Sequence, residues 1–173
     1  MTSASAAADN VRQLCWVEDR FPVDPVAIAR KLGVRVVETA LPGNVSGALF
    51  KEVGQDPVIV IHESDSDNRK RFSCAHELGH FIARSESDKA EDQYEYLDLR
   101  SDRSSSGDDP DEIWANRFAA ELLMPQKNVK VLASRGVPHF EMALRFGVSN
   151  AAMKFRLTNL SLVPPNNDEP IAC

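Results

Sequence analysis

The chain has 173 residues, 43% of them hydrophobic and 27% charged, and a formal net charge of −6. That is enough for one domain with a buried core, and no apolar run reaches the about 18–20 residues of a membrane span. The acidic balance argues against a general nucleic-acid binder, and Cys15, Cys74 and Cys173 form no CxxC pair, which argues against a disulfide framework and for a cytoplasmic protein.

The opening MTSASAAADN lacks the basic and apolar regions of a secretory signal. Residues 1–20 are expected to form a flexible segment ahead of a domain spanning 21–162. Asp24-Pro25 starts a helix well, with Asp as N-cap and Pro at the first helical position, and Gly33 ends it. Val34 to Glu38 then reads as a strand, followed by a turn at Leu41-Pro42-Gly43-Asn44. Gly47 to Phe50 and Pro57 to Ile61 read as two more, joined by a turn around Gly54-Gln55-Asp56. A three-stranded, mainly antiparallel sheet is therefore predicted ahead of a helix from about Arg69 to Ala83, capped by residues between Asp65 and Asn68.

That helix contains His76-Glu77-Leu78-Gly79-His80. At about 100° per residue, histidines four apart share one face, a turn from each other, and both can reach one tetrahedral ion such as Zn²⁺. Glu77 points about 100° round from His76, placed to take a proton from water without being a ligand. Gly79 lets another element approach closely. Cys74 lies about 200° from His76 and reads as a buried thiol, not a ligand.

From Ser85 to Glu112 eleven acids stand against three bases, a local charge of −8. Residues 85–110 read as a mobile, solvated loop, or alternatively as a flap carrying Tyr94 and Tyr96 towards the metal. Asp111 to Met124 is a strong helix ended by Pro125, and a second helix is predicted from Gln126 to Ser134. After a break at Gly136-Val137-Pro138, residues 139–160 have a helix-turn-helix pattern. Val148, Ala151, Ala152, Phe155 and Leu157 are expected to pack into the core there, not to serve DNA recognition. The tail, 163–173, is expected to be disordered.

A catalytic zinc site needs a third protein ligand and an open position. Glu112 is the best placed candidate, because positions 112, 115, 116 and 119 share a helix face and Ala115, Asn116 and Ala119 are small enough for close packing on the histidine helix. Asn116 could then hydrogen-bond a histidine's far nitrogen. An acid at a helix N-terminus is also favoured by the dipole, so the residues alone leave both readings of Glu112 open. For a donor that stabilises an oxyanion, Tyr94, Tyr96 and His139 all qualify.

FSCAHELGH, followed further on by EIWANRFAAELLMP, resembles the ImmA/IrrE family of bacterial metallopeptidases. The resemblance runs from Asp24 (DPVAIARKLGVRV) through GALF and VIVIH to FGVSNAAMKFRL, covering about residues 22–162. It implies a zincin-like single α+β domain, with a small, mainly antiparallel sheet packed on the HExxH helix and helices at the C-terminus. By motif match His76, His80 and Glu112 would be Zn²⁺ ligands and Glu77 the general base. The implied activity is zinc-dependent endopeptidase cleavage of a partner protein, a helix-turn-helix repressor of a mobile element or stress operon. His62 departs from the pattern, since relatives commonly carry asparagine there. The rival readings are a non-catalytic regulator that binds a repressor or toxin partner, and a DNA-binding regulator using the C-terminal helices. A binding module has no need of the intact Glu77. Neither direct nucleic-acid contact nor a membrane is expected.

Overall fold

The computed structural model describes residues 2–17, 20–85, 96–101 (backbone alone) and 109–162. It begins with helix α1, Ala4–Cys15, capped by Ser3, whose hydroxyl oxygen accepts from the Ala6 N–H. The expected flexible segment is thus a helix over most of its length. Its buried residues Ala4, Ala7, Ala8, Val11 and Cys15 recur at helical spacing. Alanines offer little hydrophobicity each but permit close helix packing, so the stripe shows its worth only against a partner. Helix α2, Pro25–Lys31, starts as expected: the Asp24 carboxylate accepts from the Val26 and Ala27 amides at 3.0 and 3.1 Å.

Four strands follow: β1 (Arg35–Thr39), β2 (Val45–Lys51), β3 (Val58–His62) and β4 (Tyr96–Ser101). They form one sheet in the order β1-β3-β2-β4, with β1 parallel to β3 and the other pairs antiparallel. The sheet is mainly antiparallel, but it has one strand more than predicted. β4 arises inside the acidic segment, where the alternation Tyr96-Leu97-Asp98-Leu99 is hidden among acids. The rest of that segment, 86–95 and 102–108, lies outside the described residues, as do Tyr94, the tail 163–173 and its Cys173.

Helix α3, Asp67–Ser85, carries the HELGH motif, and every residue from Ser73 to His80 is buried. A helix enclosed on all sides is a central element. It is gripped by the sheet, by α2 and by α4, Pro110–Leu123. Arg71 ties it further to the chain around it, donating to the carbonyl oxygens of Val23 and Gly147. Burial lowers the pKa of that guanidinium. Cys74 is buried and its thiol is pushed up to about 12, chiefly by desolvation, as befits a packing residue.

Helix α4 opens on Asp109, whose carboxylate accepts from the Asp111 N–H, with Pro110 at the first helical position. Helices α5 (Gln126–Ser134), α6 (His139–Phe146) and α7 (Asn150–Asn159) complete the chain. Gly147 closes α6 in the left-handed region at φ 63°, a position few residues tolerate. Val148, Met153 and Leu157 are buried, whereas Phe155 is 69% exposed and Ala151 is exposed, against expectation. The phase of α7 explains this: 151 and 155 lie four apart, about 200° from 153 and 157. Among the described residues no helix is long and apolar enough to cross a membrane. The fold is a zincin-like single α+β domain.

Candidate metal centre

Helical spacing brings the rings of His76 and His80 edge to face, centroids 4.7 Å apart, and their Nε2 atoms to 3.0 Å. From α4, Glu112 Oε2 lies 3.4 Å from His76 Nε2 and Oε1 lies 3.1 Å from His80 Nε2. One ligand atom from each residue therefore falls within 4.8 Å of the others, the only such group of three among the described residues. Hydrogen bonds from His76 and then His80 hold the Glu112 carboxyl well below the usual carboxylate range. The ordinary helix-terminus reading of Glu112 does not account for this convergence.

Asn116, one turn along α4, has its Oδ1 3.1 Å from His76 Nδ1. With Nδ1–H donating to that amide oxygen, Nε2 is the nitrogen turned towards Glu112 and His80, and an ion held there would displace the proton it shares with Glu112. Gly79 makes the approach of α4 possible. A Cβ there would meet Phe118 Cδ1 at 3.1 Å and the Ala115 Cα at 3.2 Å. The predicted small-residue seam is therefore real and involves Gly79 on one helix and Ala115 on the other. Two imidazole nitrogens and one carboxylate oxygen form a donor set that suits Zn²⁺. His76 is fully buried and His80 nearly so, while the Glu112 side chain is 20% exposed.

Glu77 is fully buried and stands outside the ligand group, towards β2, where its Oε1 lies 3.0 Å from the position a Cβ on Gly47 would take. His139 does not join the ligand group. It opens α6, buried, with its ring edge-on to Phe140 and Nδ1 without a hydrogen-bond partner. Tyr96 begins β4, paired in register with Lys51; Tyr94 is outside the described residues. His62 ends β3 and accepts at Nδ1 from the Ser64 N–H, 3.1 Å away, serving the turn. The close approach of Gly47 to Glu77 was not read from the residues. A glycine inside an apolar strand is a signal for close approach, and it was available in GALF.

Residues 29–158 match the Peptidase_M78 family, described as the IrrE N-terminal-like domain. Comparison with curated proteins finds no match. Among solved structures a Mycobacterium tuberculosis transcriptional regulator superposes with a TM-score of 0.56 at 16% identity, over 90% of this chain and 46% of that one. At that identity the likeness concerns the fold, and the chain spans about half the length of the regulator. The family match covers most of the chain and includes both helices that meet at the His76, His80 and Glu112 cluster, so the chain belongs to the Peptidase_M78 family of metallopeptidase-type domains.

Proposed function

We propose that the protein is a zinc-dependent endopeptidase that hydrolyses a peptide bond in a partner protein, a DNA-binding helix-turn-helix repressor, in the cytoplasm. The observation that carries this reading is the buried Glu77 set between two histidines that converge on Glu112. His76, His80 and Glu112 would hold the ion, with Asn116 fixing the tautomer of His76. Zn²⁺ held there supplies Lewis acidity, polarising a carbonyl and making water more acidic. Glu77 takes a proton from the attacking water on its carboxylate and passes it to the leaving amine. Burial keeps bulk water from competing for that carboxylate, and β2 limits its movement. Tyr94, Tyr96 and His139 remain the side chains to test as oxyanion donors. The repressor as substrate rests on the ImmA/IrrE resemblance and agrees with the family.

Glu77→Gln tests the reading. The amide is nearly isosteric but cannot accept a proton at neutral pH, so cleavage of a helix-turn-helix repressor offered as substrate, followed by intact mass, should fall about 10²–10⁴-fold with zinc still bound. Equal, zinc-independent loss of the repressor in wild type and variant would sink the mechanism. Tight binding by both without cleavage would favour a binding-only regulator.

A further inference from the structure

Gly33, Gly43, Gly54, Gly136 and Gly147 all have positive φ, so backbone conformation accounts for each. Gly47 and Gly79 do not: Gly47 of β2 lies against α3, and Gly79, inside the motif, lies against α4. Their surroundings differ. At Gly79 an added Cβ would meet the Phe118 ring at 3.1 Å and then backbone, Ala115 Cα at 3.2 Å and its carbonyl oxygen at 3.3 Å. At Gly47 its nearest neighbours are Glu77 Oε1 at 3.0 Å, then Glu77 Cγ and Ser73 Cβ, each at 3.4 Å. The tightest contact at Gly47 is thus the tip of the base itself.

The strand is held there, although its pairing with β4 has an irregularity between Val45 and Gly47. β2 is held on both sides, with Gly47 paired to Ile61 of β3 and to Arg100 of β4. Leu49, on the same face of the strand, is fully buried in the core. A methyl group added at 47 would therefore move the carboxylate and leave the backbone in place. We propose that Gly47 is a positioning residue for the general base: its missing side chain leaves the space that Glu77 Oε1 occupies, and β2 thereby sets where the proton is received. This rests on reading Glu77 as the base, and it assigns part of the catalytic geometry to the sheet, outside the HExxH helix.

Gly47→Ala tests it, with Gly79→Ala as the contrasting variant. Gly47→Ala should keep zinc stoichiometry and melting temperature, leave KM within about twofold, and lower kcat on the repressor by about 10–100-fold, as small misplacements of a reacting group do. Gly79→Ala, which presses on backbone, should instead lower the melting temperature. In a Glu77→Asp background the carboxylate is withdrawn by one methylene, so adding Gly47→Ala should cost less than about twofold further. A wild-type kcat in Gly47→Ala, or a loss that multiplies unchanged into the Glu77→Asp background, overturns the proposal. If Gly47→Ala does not fold, Gly47→Ala/Glu77→Asp must; equal failure of both also overturns it. Should wild type cleave nothing, the peptidase reading has failed. Gly47 is then judged by a crystal structure of Gly47→Ala, in which an unmoved Glu77 carboxylate counts against it and a displaced one supports it.

Discussion

Glu112 and Glu121 lie nine residues apart on α4, which at about 100° per residue places them on opposite faces of the same helix. Glu121 is 4% exposed. Its Oε1 accepts from the Gln126 N–H at 2.8 Å, opening α5, and its Oε2 pairs with the Arg156 guanidinium from α7. Arg156 also donates to the Met124 carbonyl, and Arg12 of α1 donates to the carbonyl of Glu121 itself. One residue thus gathers four helices, its carboxylate joining α4 to α5 and α7 and its carbonyl taking α1. Glu112, by contrast, faces two imidazoles and keeps part of its exposure. Both acids are ordered by hydrogen bonds, so order is not what separates a structural acid from a candidate ligand. The partners differ. An amide and a guanidinium keep their protons and leave no lone pair for an ion, whereas neutral imidazoles offer one each.

Exchanging the consequences of removing each acid tests this contrast most directly. Glu112→Ala should lose most of the zinc that wild type binds, because two histidines are too few to hold it at ordinary free zinc levels, while the metal-free protein melts as before. Metal analysis beside a melting curve reads both. Wild-type zinc content in this variant would send the search for a third ligand to Asp111 and the other acids of the segment.

Glu121→Ala should do the opposite. Leaving the Arg156 charge buried without its partner costs about 3–5 kcal/mol, or about 6–20 °C in melting temperature for a chain of this size, with zinc per folded molecule unchanged. A melting temperature within about 2 °C of wild type would show that the four-helix junction is held by apolar packing alone.

The smallest effect sharpens the Glu112 side. Asn116→Ala removes the acceptor at His76 Nδ1 and should weaken zinc binding or activity by about 10–100-fold without emptying the site. A chelator competition titration measures it, and an unchanged affinity would mean that burial alone orients the ring.

The same division runs through what could be read before the structure. α2 begins at Asp24-Pro25 and α5 spans Gln126–Ser134 as predicted, because caps, prolines and apolar period act within a few residues. The two histidines share a face for the same reason, and Glu112 was reachable because small residues marked one side of its helix. The N-terminal helix was not legible, since an alanine stripe means little until α4 lies against it. Nor was β4, whose pairing with β2 spans some fifty residues that include β3 and α3. The parallel pairing of β1 with β3 also joins strands that are not neighbours in the chain.

What the amino-acid sequence by itself determined is the chemistry available: two imidazoles and a carboxylate at helical spacing, a second acid helix with a small-residue face, and the family resemblance these carry. Tertiary structure alone decided which of two glutamates on α4 meets the histidines and which is tied up by Arg156. It also decided that Gly47, thirty residues from Glu77, leaves room for that carboxylate. Spacing along a helix is set by local backbone geometry, whereas the space left for a carboxylate depends on how closely a strand and a helix pack, and that is settled only when the whole core closes.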